Sequence, residues 1–320
     1  ADSQAQQVIE LRDHSDKVVS FLWTGSLSAT DGLNKLKEAK IPVFQSPERL
    51  ARALRSKINY HRWRDRCLKD GPVQVPPLTA AQGEAVRRLS SLGRRTLTEH
   101  EAKQFLAHWD VPETREEQAT TVDAAAAGAR LIGYPVVLKV ESPDIPHKTE
   151  AGVLRVGVQS EAELRQAYDE ILRNARRYAS NARVLGVLVQ EMVRGGTEVI
   201  VGLSQDPLFG PILLFGMGGI FVEVYEDVVL RACPITRSDA QEMLQEVKGA
   251  RLLQSFRGQP AADVEALTEV LLRVSRLGMQ CAREIQEVDL NPLVILPRGQ
   301  GVKAVDTLVV LAQGALPASA

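Results

Sequence analysis

Between residues 135 and 311 the apolar residues fall into short runs, at 135–140, 153–158, 184–193, 197–203, 211–215, 221–224, 228–232, 287–296 and 302–311. Several neighbours are separated by only a few residues. Parallel strands need a crossover of a dozen residues or more, so these runs read as antiparallel hairpins. Capping-box patterns at Thr98-Glu-His-Glu101 and Ser160-Glu-Ala-Glu163 open helices ending near Trp109 and Arg177, and further helices start near Ser238 and Asp263. No GxGxxG or GxxxxGK[ST] stands at a strand-to-helix junction. The expected architecture is α+β with mostly antiparallel pairing, which excludes a doubly wound nucleotide-binding sheet.

The first part is written differently. KVVSFLWTG (17–25), an amphipathic run at 29–39, IPVF (41–44) and Ser46-Pro47 alternate strand and helix as parallel β/α units do. Two such strands make too small a sheet to stand alone, so the first 68 residues read as the end of a domain that begins elsewhere. Charge follows the same division: residues 1–95 hold 17 Lys and Arg against 10 Asp and Glu, and the rest hold 22 against 30. The basic excess peaks from Arg49 to Lys69, where Tyr60 and Trp63 are interleaved. With the remainder acidic, a solvated or partner-facing helix explains it and nucleic acid is not the expected partner. The proline-bearing stretch 70–84 reads as a linker into a short helix ending near Gly93. Cys67, Cys233 and Cys281 are far apart, no signal-like segment opens the chain, and no apolar run is long enough to span a bilayer. These features point to a cytoplasmic protein without a membrane partner.

Four segments carry chemistry. In KVESPDIPHKTEAGVLRV (139–156) Lys139 ends one strand, and Pro143 and Pro146 stiffen a loop that presents His147 and Lys148. Two ammonium groups, an imidazole and backbone N–H groups there can surround a polyphosphate. In VLVQEMVRGGTEVIVG (187–202) a strand ends at Gln190-Glu191-Met192 and Gly195-Gly196 turns into the next, a pattern that any hairpin also uses. In FGPILLFGMGGIFVE (209–223) the glycines let backbone approach a ligand or let sheets cross closely. In EVDLNPLVILPRGQGVKAVDTLVVL (287–311) Asp289, Asn291 and Asp306 interrupt apolar strands. A carboxylate there is costly unless paired or metal-bound, although Asn291 before Pro292 is equally readable as a turn. If residues 297–300 form a four-residue loop, Asn291 and Asp306 fall opposite each other.

Together KVESPDIPHKTEAGV, QEMVRGGTEVIVGLSQDPLFGPILLFGMGGIFVEV and EVDLNPLVI resemble the ATP-grasp part of the NDP-forming acyl-CoA synthetases, the group of ADP-forming acetate–CoA ligase and succinyl-CoA ligase. The resemblance covers residues 80–312. LWTG and IPVFQSPERLARAL resemble the last stretch of the flavodoxin-like CoA-ligase domain. The implied fold is therefore α/β and α+β: an ATP-grasp fold preceded by a partial flavodoxin-like β/α segment. The implied boundaries are 1–69 for that segment, 70–95 for a linker and 96–320 for ATP-grasp. One departure is Ala151, where the family usually has a glycine.

The resemblance implies that Lys139 contacts ATP phosphates, that Pro146, His147 and Lys148 wrap them, that Glu191, Met192 and Val193 hold adenine, and that Glu198 faces ribose or phosphate. Asn291 and Asp306 are the implied Mg²⁺ ligands and His147 the implied phosphoryl acceptor. The implied reaction joins a carboxylic acid to CoA with ATP giving ADP. It requires CoA-binding, phosphohistidine-bearing alpha domains or an alpha subunit, in an oligomer. An ATP-grasp ligase joining a carboxylate to an amine, or a nucleotide-binding regulatory module without transfer, are the alternatives.

Overall fold

A computed structural model describes residues 2–24, 30–89, 91–145, 148–219, 227–255 and 260–313. Pro146, His147 and the expected strand at 221–224 lie outside them. The chain divides into two compact units, Ala1–Pro72 and Val73–Ala320.

The first unit contains α1 (Asp2–Asp13), β1 (Phe21–Leu22), α2 (Thr30–Glu38), β2 (Val43–Phe44) and α3 (Pro47–Asp70). β1 and β2 pair in parallel, Phe21 opposite Val43, and have no further strand beside them among the described residues. The core is correspondingly small: Ala5, Trp23, Leu36 and Ile41. Ser46 caps α3 by accepting the Arg49 amide, Pro47 supplies a preset φ at its first turn, and Gly71 ends it. Ile58, Tyr60, Trp63 and Leu68 of α3 are all exposed by half or more.

The second unit is built on two sheets. The smaller has β3 (Glu116–Ala119), β4 (Val136–Glu141), β5 (Leu154–Val158) and β6 (Gly186–Glu191) in the order β3-β6-β4-β5, every pairing antiparallel. α6 (Val122–Ile132) and α7 (Glu161–Tyr178) lay Ala125, Ala129, Leu164 and Ile171 on Val136, Leu138, Val140, Val187 and Val189. Side chains alternate along a strand, so Lys139, Glu141 and Gln190 point to the opposite face. All three are buried there as well. β3, with the sequence EEQA, has no apolar alternation and sits at a sheet edge, which is why periodicity does not announce it. Of the pair Ala151 and Gly152, only the glycine has positive φ (63°), while Ala151 is buried in this core. One glycine is enough for the turn.

The larger sheet has β7 (Thr197–Asp206), β8 (Gly210–Met217), β9 (Val228–Ala232), β10 (Ile285–Ile295), β11 (Val302–Ala304) and β12 (Thr307–Leu311), in the order β11-β10-β7-β8-β9 with β12 also on β10. One face meets α4 (Ala80–Leu89), α5 (Glu99–Ala107), α8 (Arg237–Glu246) and α9 (Val264–Gln280) in a single apolar core. The other carries Glu198, Ile200, Leu214, Leu230, Glu287 and Asp289, as alternation from the buried Val199, Leu213, Val288 and Leu290 requires. No helix among the described residues is long and apolar enough to cross a membrane.

The Gly195-Gly196 turn joins the sheets. Gly196 has φ 87°, and a Cβ there would lie 2.6 Å from the Ile295 carbonyl oxygen, whereas at Gly195 (φ 71°) it would meet nothing within 4 Å. Gly195→Ala should therefore cost only the left-handed penalty, about 1–2 kcal/mol. Gly196→Ala should cost clearly more, because β10 must also shift. Urea unfolding of both variants checks the order, and equal losses would rule out the close approach as its cause.

Candidate functional site

Thr98 caps α5, accepting the Glu101 amide while Glu101 accepts the Thr98 amide at 2.9 Å, so the capping box forms. Between them Glu99 turns inward. Its Oε1 accepts Lys139 Nζ at 2.6 Å and Lys103 Nζ at 3.1 Å, and Lys148 Nζ is 3.0 Å from its Oε2. Glu99, Lys103 and Lys139 are 4%, 1% and 4% exposed, so these are buried charges that stand only because they neutralise one another. Lys103 also donates to Glu116 at 2.7 Å and to Thr114 at 3.1 Å, and Glu116 meets His100 Nδ1 at 2.8 Å. Burial alone would raise the Glu99 carboxyl pKa, but Lys139, Lys103 and Lys148 override it and hold the group well below the usual range. Burial likewise pushes Lys148 down, and Glu99 and Asp306 outweigh it.

The Val305 carbonyl joins this cluster to the larger sheet. It accepts Lys139 at 3.1 Å, Lys103 at 3.3 Å and Gln190 Nε2 at 2.8 Å. The next residue, Asp306, lies 4.0 Å from Lys139 Nζ. Residues 297–300 form the four-residue turn: Leu296 donates to Gly301 at 3.0 Å, and one register runs from Ile295 opposite Val302 to Leu290 opposite Thr307. Asn291 N accordingly donates to the Asp306 carbonyl at 3.1 Å, placing these residues side by side. Asp289 is on the same face two residues before Asn291, and its pKa is pushed up to about 6 by burial, then by Glu287 and Asp306, against a hydrogen bond from Asn291. Burial also raises Asp306, with Lys139 opposing. Two carboxylates and an amide oxygen are the hard oxygen donors that a Mg²⁺ ion takes, and Asn291 pairs with Asp306 across the hairpin, so the chemistry of these residues fits the metal. Among the described residues no group of three or more His, Cys, Asp or Glu could by itself hold a metal ion.

Glu191 ends β6 with its carboxylate engaged by Lys303 at 2.5 Å, by the Arg115 amide at 2.8 Å and by Arg115 Nε at 3.2 Å. Burial would raise its pKa, but these partners keep it low. Met192 and Val193 follow, half-buried, in the link to β7. Glu198 is exposed on the open face of the larger sheet that also holds Asp289. Lys139, Lys148 and Asp306 are thus brought together, with Asn291 beside Asp306, while Glu191 is tied to Arg115, just before β3, and to Lys303 of β11 instead. The residues that sequence reading missed are Glu99, Lys103, Glu116 and Gln190. Glu99 and Lys103 did leave a trace: spaced i, i+4, they continue to Leu106 on an inward helix face.

Lys103→Met keeps the bulk of the side chain and leaves Glu99 and Glu116 under-compensated, so it should cost about 3–5 kcal/mol at pH 7. The Lys103 pKa is raised above 10.5, burial being outweighed by Glu99 and Glu116. Its contribution is therefore complete below the unfolded value and lost only as pH rises through the folded one. Urea unfolding at pH 7 measures it, and a loss within experimental error would show that the network does not hold the fold.

The profile of the ATP-grasp domain family matches residues 88–311. The beta subunit of ADP-forming acetate–CoA ligase II from Pyrococcus furiosus is 41% identical over 233 residues, 72% of this chain and 99% of that subunit. The ADP-forming 4-hydroxybutyrate–CoA ligase of Nitrosopumilus maritimus is 31% identical over 311 residues, covering 96% of this chain, which spans 44% of that relative's length. Among solved structures, the acetyl-coenzyme A synthetase 1 of Ca. Korarchaeum cryptofilum, in complex with coenzyme A and Ca-AMPCP, superposes with a TM-score of 0.69 at 42% identity, over 72% of this chain and 99% of that one. The matched region contains both sheets and the lysine cluster, and at these identities the relationship is one of family as well as fold: the chain belongs to the ATP-grasp domain family, in the group that includes the beta subunits of the ADP-forming acetate–CoA ligases.

Proposed function

We propose that this chain is the ATP-grasp part of an ADP-forming acyl-CoA synthetase, for the reaction acid + CoA + ATP ⇌ acyl-CoA + ADP + phosphate. The observation that carries this is the convergence of Lys139 and Lys148, one on each oxygen of Glu99, beside Asp306 and its neighbour Asn291. A buried and a partly accessible ammonium group next to hard oxygen donors suit a nucleotide polyphosphate and its cation. Lys139 and Lys148 bind phosphate oxygens, Pro146 and His147 complete the loop around them, Glu198 approaches ribose or phosphate, and Glu191 with the backbone through Val193 holds adenine. Asn291 and Asp306 hold Mg²⁺, which supplies charge neutralisation on the phosphates.

His147 is the acceptor in this reading. An imidazole nitrogen bonds to the terminal phosphorus as the bond to the ADP oxygen breaks, and the phosphoryl group passes to a histidine of alpha domains or an alpha subunit. There it moves to the acid, giving an acyl phosphate, from which the CoA thiolate displaces phosphate. The beta-subunit names of the relatives and the wider match of the first unit to the Nitrosopumilus protein support this division. We assign residues 1–69 to the end of a flavodoxin-like CoA-ligase domain, 70–95 to a linker and 96–320 to ATP-grasp. The two-stranded sheet of the first unit supports an incomplete first domain, and the free Cys67, Cys233 and Cys281 support a reduced, cytoplasmic setting.

Mixed with alpha domains and labelled ATP, the chain should form an acid-labile, base-stable phosphoenzyme. His147→Ala should lose the label yet still bind ATP; continued phosphate transfer to the partner at the normal rate would reduce His147 to a bystander. Asp306→Asn should keep the fold, weaken Mg·ATP binding about tenfold and abolish transfer. Unchanged Mg²⁺ dependence of that variant would remove Asp306 from the metal site.

A further inference from the structure

Glu99 takes no part in the phosphoryl transfer proposed above, yet it touches both lysines assigned to the phosphates. Lys139 is on Oε1 at 2.6 Å and Lys148 lies 3.0 Å from Oε2. A carboxylate can order two long side chains only if it is itself fixed. Glu99 is fixed twice: it is the first residue of α5, where the helix dipole favours an anion, and Lys103 grips Oε1 at 3.1 Å. Lys103 in turn is immobilised by Glu116, Thr114 and the Val305 carbonyl. An ammonium has three N–H groups. Lys139 gives one to Glu99 and one to Val305, which leaves the third on the side of Asp306, 4.0 Å away.

We infer that Glu99 is a positioning residue of the nucleotide site, holding the Lys139 and Lys148 ammonium groups side by side as a ready-made pair for phosphate oxygens. The inference rests on the reading of these two lysines as phosphate ligands. Lysine side chains lose much rotamer freedom when they bind. Ordering them beforehand moves that loss from binding to folding, which raises affinity without a new contact to the ligand. The expected signature is confined to phosphate, because the proposed reading assigns the base to residues 191–193, away from Glu99's lysine partners.

The test compares Mg·ATP with adenosine, which has no phosphate, by equilibrium binding to the full chain and to Glu99→Gln and Glu99→Asp. Glu99→Gln should bind Mg·ATP about tenfold or more weakly while adenosine stays within about twofold. Glu99→Asp, which keeps the charge but draws the carboxylate back by one methylene, should fall between. A merely structural glutamate would weaken both ligands alike or neither, and either result overturns the inference. Should thermal melting show Glu99→Gln unfolded, the ratio for Glu99→Asp decides: a shift against Mg·ATP supports positioning and an unchanged ratio overturns it. Failure of the parent chain to bind Mg·ATP would instead sink the underlying assignment of the site, and is distinct because no ratio could then be formed.

Discussion

Three ammonium groups gathered around one buried carboxylate form the joint on which the second unit is organised. Lys103 comes from α5, Lys139 from β4 and Lys148 from the loop after it, and all three meet at Glu99. None of these charges could be buried singly. Their mutual compensation, with Glu116 as the second anion, makes the position of each element depend on the others. The Val305 carbonyl extends the dependence to the larger sheet by accepting from Lys103, Lys139 and Gln190 together. A backbone carbonyl with three donors in addition to its place between β11 and β12 fixes where Asp306 begins, and so where the two sheets meet.

Charge changes sign across that joint. On the α5 side Lys103 and Lys148 are stabilised in their charged forms by carboxylates. On the β10 side burial raises Asp289 and Asp306, with Glu287 and Asp306 adding to the first and Glu99 to the second against Lys139. A ligand that brings phosphate to the first half and a cation to the second satisfies both, which is the electrostatic basis of the proposed nucleotide site. The arrangement separates cost from function. Burial of Lys103 is a matter of folding stability, whereas the partly accessible Lys148 and Asp306 remain available to a ligand.

The open face of the larger sheet follows from the same alternation that built its core. Val199, Val201, Val288 and Leu290 are buried against helices, so Glu198, Gly202, Glu287 and Asp289 must face away.

Sequence by itself determined the antiparallel character of the second unit and the capping box at Thr98, and it tied the register of the closing hairpin to the length of its turn. These are local matters: period-2 alternation, cap chemistry and a four-residue turn act within a few residues, and the turn length alone brought Asn291 opposite Asp306. The loop around Lys139 and Lys148 stood out because Pro143 and Pro146 stiffen it and its residues resemble a family motif. Tertiary structure alone decided what those lysines touch. Glu99 reads as one more acidic residue in the first turn of a capped helix, and Gln190 as a strand residue before a turn. Their roles arise only when α5, β4, β6 and the 305–306 segment meet, since the energy of a buried ion pair depends on distance and desolvation, neither of which spacing along the chain encodes. For the same reason Glu191 could be placed at a strand end from sequence, while its engagement with Arg115 and Lys303 could not.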